Sequence, residues 1–235
     1  MKILKFDTLP STNQYLKDNY KNLENLTIVN AIHQTNGRGR LGRTWIDNND
    51  LLFSILVKEN LDNPANYSFL IASTLVKVLK EFNPLIKWPN DIIINDRKIC
   101  GILLEAVTIE KIECVIIGVG INTNSKKFSN DLVFKANSLS NILESEIDNE
   151  QLLLKIADNF LEDYQLYINN ESNYKEIVLN NFYLLNKEIS FNYNGYENKG
   201  IVIGMNQENE LLVNVNGKIF NLKSGEVSLS NIYKN

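Results

Sequence analysis

The chain has 235 residues, 44% hydrophobic and 22% charged, enough for one sizeable core or one domain plus a small appendage. A formal net charge of -4 argues against a general nucleic-acid or anionic-membrane binder, which would show a basic excess, so any anion site has to be local. The two cysteines, Cys100 and Cys114, each lie inside an apolar run, which excludes a disulfide framework and a metal-ligand spacing and suits a reducing compartment.

The opening MKILKFDTLPSTNQ lacks the apolar stretch of a signal peptide, and no run is long and apolar enough to span a bilayer. The expectation is a soluble, cytoplasmic protein without membrane contact. Ser11 and Gln14 have capping-box spacing and predict a helix starting near Ser11. LTIVNAIHQ and LLFSILVK are β-branched runs bounded by polar residues, which predicts two strands joined by HQTNGRGRLGRTW. Asn63 and Pro64 predict the start of a helix whose FLIASTLVKVLKEF stretch is apolar on all sides, hence central. LIKWPN, DIIIN, ICGILLEAV and IECVIIGVGIN then predict a series of strands in a largely antiparallel sheet, with a polar turn at NDRK. Residues 124–149 are polar and Asn/Ser-rich and predict an irregular excursion. Leu153, Ile156, Ala157, Phe160, Tyr164, Tyr167 and Ile168 recur at helical spacing, and a shorter helix follows Ser172. From Lys187 the period becomes two, with Asn216-Gly217 marking a type I′ hairpin. A domain boundary is placed near Asn186.

Four segments carry residues with chemical potential. In GRGRLGR, Gly37, Gly39 and Gly42 allow backbone N–H groups to face a ligand, while Arg38, Arg40 and Arg43 offer fixed-charge forks for carboxylate or phosphate. By itself the loop leaves open a small-molecule phosphate site, an RGG-like nucleic-acid contact and a solvated connection. In KWPND, Pro89 interrupts a strand ladder and turns Lys87, Asn90 and Asp91 in fixed directions, or else marks a surface turn. Lys98 stands before Gly101 at the mouth of a strand, where a glycine admits a ligand or another backbone, or forms a bulge. GVGIN, Gly118 to Asn122, permits close approach at a strand exit. His33 is the one histidine; no Ser/His/Asp triad and no metal-ligand cluster can be assembled around it.

In their order, STNQYL, QTNGRGRLGRTW, KWPNDI, RKICGILLE and GVGIN resemble the biotin–protein ligases, and the tail GKIFNLKSGEVSL resembles the small SH3-like barrel that ends them. The family loop usually reads QTAGRGR, whereas Thr35-Asn36 precede Gly37 here. The resemblance implies an α+β fold: a mixed or antiparallel sheet packed with helices, like a class II synthetase, over 1–185, and the barrel over 186–235. It implies an ATP- and Mg2+-dependent ligase that converts biotin to biotinyl-5′-adenylate and transfers it to a lysine of a biotin carboxyl carrier domain, such as that of acetyl-CoA carboxylase or pyruvate carboxylase. Lys98 and Arg40 are implied as catalytic. Ser11, Thr12, Asn13, Gln34, Gly37, Arg38, Gly39, Arg40, Lys98 and Gly101 are implied for biotin, Arg43, Trp45, Lys87, Asn90 and Asn122 for ATP, and Asp91 for Mg2+. Some members carry an N-terminal DNA-binding module; here the match starts in the first residues, so the expectation is a ligase-only form with no specific DNA binding and no repressor role. Lipoate–protein ligase and an inactive biotin-binding module are the alternatives, and a homodimer is left open.

Overall fold

The computed structural model describes residues 1–46, 48–193, 195–224 and 229–230. The end of the expected barrel, residues 225–228 and 231–235, lies outside the described residues. The first element is β1 (Ile3–Leu9), a strand not anticipated from the sequence. It is half-exposed and alternates lysine and aspartate with apolar residues, so it lacks the continuous apolar run of a buried strand. The helix α1 (Thr12–Asn19) follows, and the Ser11 side chain caps it by accepting from Gln14 N as expected. The Gln14 side chain turns instead to Asp18 and Arg38. This helix carries the chain across to β2 (Ile28–Gln34), which pairs parallel with β1.

The arginine-rich connection joins β2 to β3 (Leu51–Val57), all seven of whose residues are buried. α2 (Asn66–Val78) starts later than expected. Its N-cap is Ala65 without a side-chain bond, while Asn63 and Pro64 sit in the preceding turn, where their carbonyls accept from Asn66 N and Tyr67 N. The strands β4 (Leu85–Lys87), β5 (Asp91–Ile94), β6 (Arg97–Thr108) and β7 (Ile112–Ile121) complete a seven-stranded sheet in the order β1-β2-β3-β7-β6-β5-β4. Asn95 and Asp96, both at positive φ, make the turn between β5 and β6, the geometry that matches strand twist. Every pairing in this sheet except β1 with β2 is antiparallel.

The excursion after β7 is irregular except for α3 (Leu139–Leu143), whose N-cap Ser138 accepts from Asn141 N; five residues are too few for a readable apolar period. α4 (Asn149–Ile168), capped by Asp148, buries Leu153, Ile156, Ala157, Phe160 and Tyr164. α5 (Tyr174–Asn180) precedes β8 (Glu188–Tyr193), β9 (Tyr196–Met205), β10 (Leu211–Val215), β11 (Lys218–Leu222) and β12 (Leu229–Ser230). These strands form an antiparallel sheet in the order β11-β10-β9-β8-β12. The architecture is α+β.

Alternation decides where the site lies. On β3, β7 and β6, Phe53, Ile55, Val119, Ile121, Cys100 and Ile102 belong to the core under α2. Their neighbours Ser54, Gly118, Gly120 and Gly101 must therefore point to the opposite face, the one α1 covers at one end.

Candidate active site

A cavity of about 770 Å³ opens on that second face. Of the residues implied for function, all but Gly37 line it. At one end is the start of α1, where Ser11, Thr12 and Asn13 are buried. Thr12 donates its N–H to Gln34 Oε1 at 2.7 Å, and its hydroxyl lies 3.2 Å from the same oxygen. The Asn13 amide is fully engaged: Nδ2 donates to Glu105 Oε2 at 2.8 Å, and Oδ1 accepts from Ser54 Oγ. A Cβ at Gly118 would stand 2.3 Å from that Oδ1, so only glycine lets the amide lie on the sheet. Ser54 and Glu105 went unnoticed in the sequence. The available signal was a serine inside LLFSILV, since a polar group in a fully buried run needs a partner.

The middle of the cavity is floored by glycines, and what approaches them is Trp45. A Cβ at Gly120 would come within 2.6 Å of Trp45 Cε2, and one at Gly101 within 2.8 Å of Cζ3. The indole thus lies flat on the sheet, with Lys98 Nζ 5.5 Å from its centroid. Trp45 Nε1 is buried and has no hydrogen-bond partner among the described residues.

The arginine loop folds over this floor. Gly39 N donates to Arg43 O at 2.7 Å and Trp45 N to Gly37 O at 3.0 Å, closing a narrow turn at whose tip Leu41 and Gly42 adopt positive φ. Arg38 Nη2 donates to Gln14 Oε1 at 2.9 Å and lies 3.9 Å from Glu105. Arg40 Nη1 donates to Asn90 Oδ1 at 2.9 Å and Nη2 to Ser224 Oγ at 2.8 Å.

The other end of the cavity gathers positive charge. The Trp88–Pro89 peptide is cis, and the bend puts Lys87, Asn90 and Asp91 beside β6. Lys98 Nζ lies 2.7 Å from Asp91 Oδ1. Lys87 is 8% exposed, and its pKa is lowered to about 8 by burial, Asp91 opposing the shift and Lys98 adding to it. Asn90 Nδ2 donates to Ile102 O. Asn122, at the end of β7, donates to Lys98 O and Asn137 O, fixing the backbone that carries Lys98. Among the described residues no three His, Cys, Asp or Glu side chains cluster to hold a metal. Asp91 alone fits Mg2+ only where phosphate oxygens fill most of the shell. His33 is exposed and is not among the cavity residues.

Residues 5–122 match the profile of the biotin/lipoate A/B protein ligase family. The "Bifunctional ligase/repressor BirA" of Bacillus subtilis (strain 168) is 35% identical over 152 residues, 60% of this chain and 47% of that protein. The "Biotin--[acetyl-CoA-carboxylase] ligase" of Mycobacterium tuberculosis is 34% identical over 107 residues, 40% of this chain and 38% of its own length. The chain spans about half the length of the curated relatives it matches first. Among solved structures, biotin protein ligase from Aquifex aeolicus in complex with biotin and ATP superposes with a TM-score of 0.84 at 26% identity, covering 97% of this chain and 98% of that one.

Proposed function

The chain belongs to the biotin/lipoate A/B protein ligase family, and on that premise we propose that it is a biotin–[acetyl-CoA-carboxylase] ligase. A biotin carboxylate oxygen attacks the α-phosphorus of ATP, the Pα–O–Pβ bond breaks and pyrophosphate leaves. The amine of an acceptor lysine in a biotin carboxyl carrier domain then attacks the acyl carbon of biotinyl-5′-adenylate, releasing AMP.

The observation that carries this reading is the place of Lys98, between a polar slot and a cationic cluster in one cavity. The slot at Ser11, Thr12 and Gln34 suits a urea ring, since buried polar ligand atoms need partners. Asn13, already held by Glu105 and Ser54, shapes this wall. Trp45 covers the sheet beside Lys98 on the nucleotide side, and its buried Nε1 is a donor that an ATP oxygen would satisfy. Arg38 and Gly39 close the slot, Gly37 lets the loop pass the Trp45 backbone, where a Cβ would stand 2.7 Å from Trp45 O, Gly101 admits the indole, and Arg40 approaches the carboxylate. Lys98 exchanges its Asp91 partner for the reacting oxygens and stabilises charge at the pentavalent phosphorus. Lys87, Arg43, Trp45, Asn90 and Asn122 serve the nucleotide. Asp91 would share Mg2+ with the phosphates, where the ion neutralises charge. No covalent enzyme intermediate is required, so alignment and preorganised charge supply the catalysis.

The test is biotin-dependent exchange of labelled pyrophosphate into ATP, which reports the first half-reaction without an acceptor. Exchange driven by lipoate and not biotin would transfer the assignment to lipoate ligation. Biotin binding without exchange would leave an inactive binding module.

A further inference from the structure

Asp50, immediately before β3, has no part in the chemistry above, yet it is 3% exposed and fully engaged. Its Oδ1 accepts from the N–H groups of Asn124 and Ser125, both at 3.0 Å, and its Oδ2 from the Ser125 hydroxyl at 2.6 Å. Two successive backbone N–H groups and a hydroxyl converging on one carboxylate make a clamp stronger than neutral hydrogen bonds would.

What the clamp holds is the start of the chain that forms one wall of the cavity. Asn122, Ser125, Phe128 and Leu132 all line it. The same turn is secured behind by Asn124, whose amide makes both its bonds to the backbone of Ile147. Along β7, Gly118 faces Asn13 and Gly120 lies under Trp45, while Asn122 follows four residues beyond Gly118, about 13 Å away along an extended strand. The clamped wall therefore stands at the end remote from the polar slot. In sequence Asp50 also closes the connection that contains Trp45 and the arginines, and Leu51 pairs with Ile121, so one carboxylate ties the trailing end of that loop to the segment leaving the neighbouring strand.

We propose that Asp50 is a positioning residue for the nucleotide half of the site, holding the Asn122–Ser125 turn in place before ATP arrives. The proposal rests on the ligase reading for which end takes the nucleotide. A residue that served stability alone would lower the melting temperature and affect both substrates alike. A positioning residue separates them.

The full chain is compared with Asp50→Ala, Asp50→Asn and Ser125→Ala in pyrophosphate exchange, with ATP and biotin varied in turn, and in calorimetric binding of each substrate alone. Asp50→Ala should raise the KM for ATP roughly tenfold or more, as misplacement of a binding wall does, while biotin affinity changes less than about twofold. Asp50→Asn should stay within about threefold of the parent, because an amide oxygen can accept the same two N–H groups. Ser125→Ala should give a smaller rise of about two- to threefold, the loss of one hydrogen bond. Equal rises for both substrates, an unchanged ATP KM, or an asparagine variant as impaired as the alanine one would overturn the proposal. Should Asp50→Ala fail to fold, Ser125→Ala decides: an unchanged ATP KM refutes it, a selective rise supports it. A parent protein that binds ATP but shows no biotin-dependent exchange would defeat the ligase reading, while selective loss of ATP binding in the variants would still sustain the role of Asp50.

Discussion

At the scale of single residues, charge and the absence of a side chain do the most. Lys98→Ala should leave biotin binding nearly intact and lower adenylate formation by several orders of magnitude, because a charge acting mainly on the pentavalent phosphorus belongs to the transition state. Pyrophosphate exchange at the parent rate would remove Lys98 from the mechanism. Gly118→Ala puts a methyl group on the Asn13 amide; it should weaken biotin binding and destabilise the fold by about 1–3 kcal/mol, the usual cost of overpacking, read by calorimetry and thermal melts. Lys87 supplies a pH prediction. Its folded pKa, about 8, lies below the ordinary lysine value of 10.5, so between those values the unfolded chain binds the proton the folded chain has lost. Stability from this group therefore rises with pH across that window, while the charge offered to phosphate disappears. The KM for ATP should climb above about pH 8 and the climb should flatten in Lys87→Arg; a parallel profile in both proteins would exclude Lys87 from nucleotide binding.

At the scale of elements, the arginine loop is the decisive unit. Its glycines make the open ensemble entropically favourable and its three arginines repel one another, yet Arg38 and Arg40 are tied to Gln14 and Asn90 and the turn is closed by backbone bonds. With Leu41 79% exposed at the tip, little apolar burial holds it shut, so ligand contacts must shift the balance. Trypsin should nick the 38–43 segment of the free protein and do so far more slowly with biotin and ATP present. Arg40→Gly should still form biotinyl-adenylate but release it, so that bystander proteins become biotinylated at accessible lysines. Equal nicking in both states, or adenylate kept as long as in the parent, would rule out a lid.

At the scale of the whole molecule, we propose the boundary near residue 186 as a change of sheet but not of core. Phe191, Val202, Leu211 and Val213 of the second sheet belong to the same buried cluster as Phe53, Ile71 and Trp88. Trp88 Nε1 donates to Asn209 O at 3.0 Å, and Asn209 Nδ2 to Asn66 Oδ1 at 2.7 Å. Trp88 lies in the KWPND bend that aims Lys87, Asn90 and Asp91. A 1–185 fragment should thus lose cooperative melting and ATP binding together, since it exposes Trp88 and its neighbours. A fragment that melts at the parent temperature and binds ATP would show two independent domains.

The family and the α+β class were legible through the resemblance that the ordered motifs carry, while the strands after Leu26 and the start of α1 were legible from local chemistry: β-branched runs for strands and the Ser11 cap for α1. β1 was not legible, since an edge strand with one half-exposed face carries too weak an apolar pattern. Ser54, Glu105 and Asp50 were also missed; each is a single polar residue whose partners lie 41, 92 and 74–75 positions away, and no local period records such a pairing. Only the tertiary structure decided that the glycines of β6 and β7 admit the Trp45 indole, that Lys98 rests against Asp91, and that burial lowers the Lys87 pKa to about 8. Those outcomes depend on which face of each strand meets which loop, and that is settled by packing across the sheet, where strands distant in sequence become neighbours.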